Sequence, residues 1–245
     1  MEKSGLSTAN LDIVYFVKEG VRNDELRYSL RSVCENMAYK RIWIYGGCPN
    51  DIIPDFRARI VQEGETKWDR VRNMFKMVCE NKEITDDFIL FNDDFFVMKP
   101  TSKLIPLWRC SLEEHVELSK AAGFRKRNPY ADILEACRKI LEEGGFTQHS
   151  YELHTPFIYN KARLLKILEE YPDAHCTRTL YGNIYNIGGQ QSDDVKAFSE
   201  TPNFDYRESQ FISTDDSIVN INNSVWRYIK GRFPKRCKYE RGLFF

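Results

Sequence analysis

Residues 11–46 constrain the fold more than any other stretch. Leu11-Asp12-Ile13-Val14-Tyr15-Phe16-Val17 is a nearly continuous run of apolar, β-branched and aromatic side chains. Such a run reads as a strand buried on both faces, not one with a wet side. Residues 25–38 follow with helical spacing, so that Leu26, Leu30, Val33, Cys34 and Met37 share one face. Arg41-Ile42-Trp43-Ile44-Tyr45 is a second strand, closed by Gly46-Gly47. Strand, helix and strand in this order predict a right-handed parallel βαβ unit, and therefore an α/β fold.

The pattern continues with a short strand at 59–62, a helix at 68–79 and a fourth strand at 87–91 that runs into Asn92-Asp93-Asp94. A further apolar piece, 95–98, is stopped by Pro100. The first half thus reads as an open, Rossmann-like, mostly parallel sheet, in which ligands bind beyond the carboxyl ends of the strands. The second half predicts helices at 132–143, 160–171 and 218–231 and is α-rich. Without repeats or a Pro/Ser-rich linker, residues 1–245 read as a single domain. Residues 1–105 are its nucleotide-binding half, and 106–245 its acceptor-binding and catalytic half.

Composition narrows the function. The 245 residues hold 36 Lys plus Arg and 36 Asp plus Glu, so net charge is zero. That argues against a general nucleic-acid coating protein but allows a local basic site. At 42% hydrophobic and 13% aromatic residues the chain can fill a sizeable core. No apolar run is long enough to cross a membrane, and the first residues show no secretory signal, so a cytoplasmic location is expected. The seven cysteines include no C-x-x-C pair, so they are expected to be free thiols in a reducing compartment, without zinc.

Asn92-Asp93-Asp94 carries the most chemistry. Adjacent carboxylates repel, and placing them where a buried strand leaves the core suits a hard divalent cation, Mg²⁺ or Mn²⁺; Asn and Asp also favour turns and caps. Asp193-Asp194 and Asp215-Asp216 read as turns or caps. His154, beside Pro156, is a candidate general base or metal ligand. Arg27 and Arg31, four apart on one helix face, meet either phosphates or neighbouring acids. Arg70 and Asn73, with Lys67 and Arg72, lie near a helix start that favours an anion. Two basic segments, 125–127 and 232–241, suit a polyanionic acceptor or a solvated face.

Four blocks together resemble the Stealth proteins, sugar-phosphate transferases of capsule synthesis and lysosomal-enzyme tagging. They are Asp12-Ile13-Val14-Tyr15; Glu25-Leu26-Arg27-Tyr28-Ser29-Leu30-Arg31-Ser32 with Phe88 to Phe96; His154-Thr155-Pro156 with Lys161; and Phe211-Ile212-Ser213 with Asp215, then Phe233 to Glu240. The resemblance implies a GT-A-related core and a nucleotide-sugar donor, a UDP-sugar first among candidates. It implies a divalent metal at Asp93 and Asp94, with Asp93, His154 and Arg178 catalytic. Tyr15, Arg27, Arg31, Arg70, Asn73 and Asn92 are the donor-binding candidates. The expected activity is metal-dependent transfer of a sugar or sugar-1-phosphate to a hydroxyl of a polysaccharide. Transfer to hydroxylated bases of phage DNA, and a non-catalytic nucleotide-sugar-binding module, are the alternatives.

Overall fold

The computed structural model describes residues 5–20, 22–58, 63–122, 129–199 and 202–241. The expected strand at 59–62 and the basic segment 125–127 lie outside the described residues. The chain forms β1 (Asp12–Val17), α1 (Asp24–Asn36), β2 (Ile42–Gly46), β3 (Phe56–Ala58), α2 (Lys67–Glu80) and β4 (Asp87–Asn92). It continues through β5 (Phe95–Val97), α3 (Leu112–Ala122), α4 (Pro129–Glu143), β6 (Phe157–Asn160), α5 (Lys161–Glu170) and α6 (Thr177–Ile184). The remainder includes β7 (Lys196–Ala197), β8 (Phe211–Thr214), α7 (Asp216–Asn220) and α8 (Ser224–Arg232).

The architecture is mixed α/β around a mainly parallel five-stranded sheet of order β3-β2-β1-β4-β6. β1, β2, β3 and β4 run parallel, and β6 closes the outer edge of β4 antiparallel, pairing Phe88 with Tyr159 and Leu90 with Phe157. Strand alternation explains why β1 is apolar from Ile13 to Val17. Ile13, Tyr15 and Val17 pack with Leu26, Leu30 and Val33 of α1 on one face. Val14 and Phe16 pack with Met74, Phe75 and Val78 of α2 on the other. Successive crossovers thus leave α1 and α2 on opposite sides, and strand order reverses at β1, between β2 and β4.

That reversal places the site. Phe16 and Asn92, near the carboxyl ends of β1 and β4, are register partners. Directly after β4, Asp93 and Asp94 turn the chain into β5, which joins a second sheet of order β7-β8-β5. β6 and α5 come from the second half of the chain yet complete the sheet of the first, with α5 packed on α2, so residue 105 does not divide the sheet.

The second half is helical as expected, with two differences. The helix expected over 218–231 is split into α7 and α8. Asn222 adopts a left-handed conformation (φ 50°), and the Asn223 side chain accepts from the Trp226 amide, starting a new helix. α3 carries only a weak apolar stripe, and α6 is only eight residues long, so neither was expected. α6 buries nearly all of its residues, Gly182 included, where a Cβ would lie 2.4 Å from the Tyr151 ring. No helix among the described residues is long and apolar enough to cross a membrane. No disulfide joins any of the seven cysteines.

Candidate active site

A cavity of about 1060 Å³ opens at the carboxyl ends of β1 and β4, lined by Phe16 and Asn92 from these strands. This is the crevice in which open α/β sheets hold ligands. Its volume is at the top of the usual range for small-molecule sites. From the second half of the chain come Arg109, His154, Arg178, Asp194 and Lys196. The structure therefore brings His154, Arg178 and Asn92 to one cavity.

His154 is held by a carboxylate. Its Nδ1 lies 2.8 Å from Asp194 Oδ2 and 3.1 Å from Oδ1, and its backbone amide donates to the same Oδ1 at 3.1 Å. Burial works to raise the Asp194 carboxyl, but the bonds to His154 and the nearby charge of Arg109, 3.9 Å away, outweigh it and hold the group below the ordinary range. An ionised Asp194 fixes the proton of a neutral His154 on Nδ1. Nε2 is then the nitrogen left to take a proton from a bound hydroxyl. Asp193-Asp194, expected as a turn or cap, thus contains the orienting acid. The two partners are 40 residues apart, and no local spacing announces them.

Arg178 sits in the first turn of α6, nearly buried. Its Nη1 donates to the Leu153 carbonyl, and its guanidinium lies 5.0 Å over the Phe157 ring. The α6 N-terminus has no side-chain cap of its own; instead Glu152 Oε1 accepts from the Thr179 amide at 3.2 Å. Trp68 and His175 stack at the same cavity with centroids 6.0 Å apart, and the buried Nδ1 of His175 has no hydrogen-bond partner among the described residues. This atom was not singled out in the sequence and faces the need for a ligand or water.

Below the cavity Asp94 meets a cation that belongs to the protein. Its Oδ2 accepts from Lys196 Nζ at 2.6 Å and from Ser213 Oγ at 2.6 Å, and Lys196 also donates to the Thr214 carbonyl. Asp93 Oδ2 accepts from Asn23 Nδ2 at 2.5 Å, the residue that also caps α1. Glu25 Oε1 accepts from Thr214 Oγ1 at 2.5 Å. Burial, then the nearby charges of Asp93 and Asp94 against that bond, push the Glu25 carboxyl up to about 8. Burial and Asp94 push Asp93 up to about 6.

These groups do not fit the expected divalent ion. Among the described residues no three His, Cys, Asp or Glu side chains are grouped to hold a metal. An ion on Asp94 would also face the Lys196 ammonium. It would have to displace the Lys196 and Ser213 donors that Asp94 Oδ2 already accepts, and Asp93 Oδ2 is likewise taken by Asn23. The Lys196 ammonium already offsets the Asp94 charge.

The remaining donor-binding candidates lie elsewhere. Tyr15 is fully buried, its hydroxyl 3.0 Å from Ser29 Oγ and its ring 5.3 Å from Phe91, so it is core. Arg31 binds both oxygens of Glu240 at 2.7 Å, and Arg27 reaches Asp51 at 2.5 Å and Glu240 at 3.3 Å. Arg70 is exposed and donates to the Gly64 carbonyl, while Asn73 donates to the Glu63 carbonyl. None of these five lines the cavity, though Lys67 of the same helix start does. In the basic 232–241 segment Arg232 pairs with Glu35 and Lys238 lies over the Tyr39 and Tyr239 rings, while Lys235 and Arg236 are exposed on the surface.

His115 also lines the cavity but is buried, with Nδ1 2.7 Å from Ser150 Oγ. Burial, then the positive charge of Arg109, lower it to about 4. The native state thus keeps it neutral while the unfolded chain protonates it below about pH 6.5. Unfolding then takes up a proton between about pH 6.5 and 4, so stability falls as pH drops through this window. At about 1.4 kcal/mol per pH unit the loss from this one group approaches about 3 kcal/mol. In urea titrations the wild type is expected to lose more stability between pH 7 and 4 than His115→Gln. Parallel curves would show that His115 does not carry the effect.

No protein-family model matches the chain, and no curated protein matches it.

Proposed function

We propose that the protein is a transferase that moves a sugar or sugar-1-phosphate from a nucleotide sugar to an acceptor hydroxyl. The observation that carries this reading is the His154–Asp194 pair in a cavity at the sheet's point of strand reversal. The strand order, with β1 central, is compatible with a Rossmann-like, GT-A-related core, and the resemblance to Stealth proteins supplies the donor class. Function rests on this site and not on the fold, which hosts many chemistries.

The acceptor hydroxyl gives its proton to His154 Nε2 as its oxygen bonds to the transferred group. Asp194 holds the ring and stabilises the imidazolium that forms. If attack is at the sugar-proximal phosphorus, the bond to the other phosphate's bridging oxygen breaks and nucleoside monophosphate leaves. If attack is at the anomeric carbon, nucleoside diphosphate leaves. Arg178 is placed to neutralise charge growing on the phosphates.

Thermal unfolding with a panel of nucleotide sugars tests the reading. A binder at about 100 times its Kd stabilises the fold by about 2.7 kcal/mol, so one donor is expected to raise Tm by several degrees. Incubation with an acceptor should then release nucleotide, whose identity gives the bond broken. No shift with any nucleotide sugar would overturn the proposal.

A further inference from the structure

We infer that Lys196 is the donor-phosphate cation of this site and that nucleotide binding here is independent of divalent metal. The inference rests on the transferase reading and deepens it. An ammonium has three N–H donors. Lys196 gives one to Asp94 Oδ2 and one to the Thr214 carbonyl, and its side chain lines the cavity together with Asn92 and Arg178. Among the described residues no partner takes the third donor, which can meet a ligand.

The surroundings fix this lysine as a built feature and not a passing surface contact. Lys196 and Asp94 are each only 13% exposed. Lys196 stands on β7, in register with Ser213 of β8, whose hydroxyl donates to the same Asp94 oxygen. The Asp94 backbone carbonyl in turn accepts from the Thr214 amide at 3.2 Å. Asp94 is thereby a positioning residue: it aims a cation at the space where the strand order reverses. A diphosphate there would meet Lys196 and Arg178, and its oxygens would accept charge-assisted hydrogen bonds.

The test uses the full chain and UDP, GDP, ADP and CDP as probes, with affinities measured by calorimetry in EDTA and again in excess Mn²⁺. At least one nucleoside diphosphate is expected to bind equally, within about twofold, in both buffers. Lys196→Met is expected to weaken that binding by about 10–100-fold, the value of one charge-assisted hydrogen bond. Because Lys196→Met leaves Asp94 unpaired and can unfold the site, Asp94→Asn/Lys196→Met is measured beside it. This pair of changes removes both charges, and is expected to fold yet show the same loss, not restored by Mn²⁺. Binding that requires Mn²⁺, or wild-type affinity in the folded double variant, would overturn the inference and leave the transferase reading standing. No affinity for any of the four in either buffer would overturn both.

Discussion

His154→Ala is expected to lower transfer by about 10²–10⁴-fold, the usual contribution of a positioned general base. The side chain is 38% exposed and, among the described residues, its ring bonds through Nδ1 alone, so stability should change by less than about 1 kcal/mol. Asp194→Asn makes the sharper test. An amide in place of the carboxylate can donate to Nδ1, which forces the ring proton onto Nε2 and removes the base from the substrate side. Rate should fall nearly as far as in His154→Ala, with the fold and KM little changed. The double variant should lose no more than His154→Ala alone, because groups that act as a unit are not additive. The check is a set of single-turnover rates with far-UV circular dichroism as control. Full activity in His154→Ala would remove the base from the mechanism.

The largest stability effect is expected away from the cavity, at Glu240. Its side chain is 1% exposed and accepts a two-pronged bond from Arg31, itself only 9% exposed, while Oε1 also accepts from the Cys237 amide at 3.0 Å. Glu240→Ala leaves a buried guanidinium without its counter-ion, a loss of about 3–5 kcal/mol. For a chain of this size that is a fall in Tm on the order of 10 °C. Burial raises the Glu240 carboxyl, but the bonds from Arg31 outweigh it and hold the group below its ordinary range. Stability from this pair is therefore full above the ordinary carboxylate pKa and is lost as pH falls through the lower native value. The Tm gap between wild type and Glu240→Gln should narrow below about pH 4. A constant gap from pH 7 to 3 would mean that packing, not charge, holds the segment. An Arg31→Met/Glu240→Leu pair should recover much of the loss, because apolar replacements of a buried ion pair carry no desolvation cost.

Glu240 also shows where the sequence stops being legible. Spacing placed Arg27 and Arg31 on one face of α1 correctly, but spacing cannot say what covers that face. The answer lies 209 residues away from Arg31. Local periodicity was enough for β1, α1, β2, α2 and β4, since each is patterned by its own burial. It was enough to expect carboxylates at the end of β4, but not to see that Lys196, 102 residues later, would neutralise one of them. His154 could be singled out from its turn, whereas its partner Asp194 looked like any Asp-Asp turn. α6 was hidden for a different reason: it is only eight residues long, and its polar side chains Thr177, Arg178, Thr179 and Asn183 are buried together with its apolar ones, so no solvated face marks it.

The outer edge of β4 has a consequence for synthesis. Its partner β6 arrives late: Asn160 Nδ2 donates to Asp87 Oδ1 across 73 residues of chain. At ribosomal speeds of roughly 5–20 residues per second, Asp87 to Leu90 wait several seconds with one edge unpaired. An apolar strand with open backbone donors and acceptors is what holdase chaperones and neighbouring nascent chains bind. Translation pausing between β4 and β6 would therefore favour aggregation, and faster passage through that stretch would favour soluble yield.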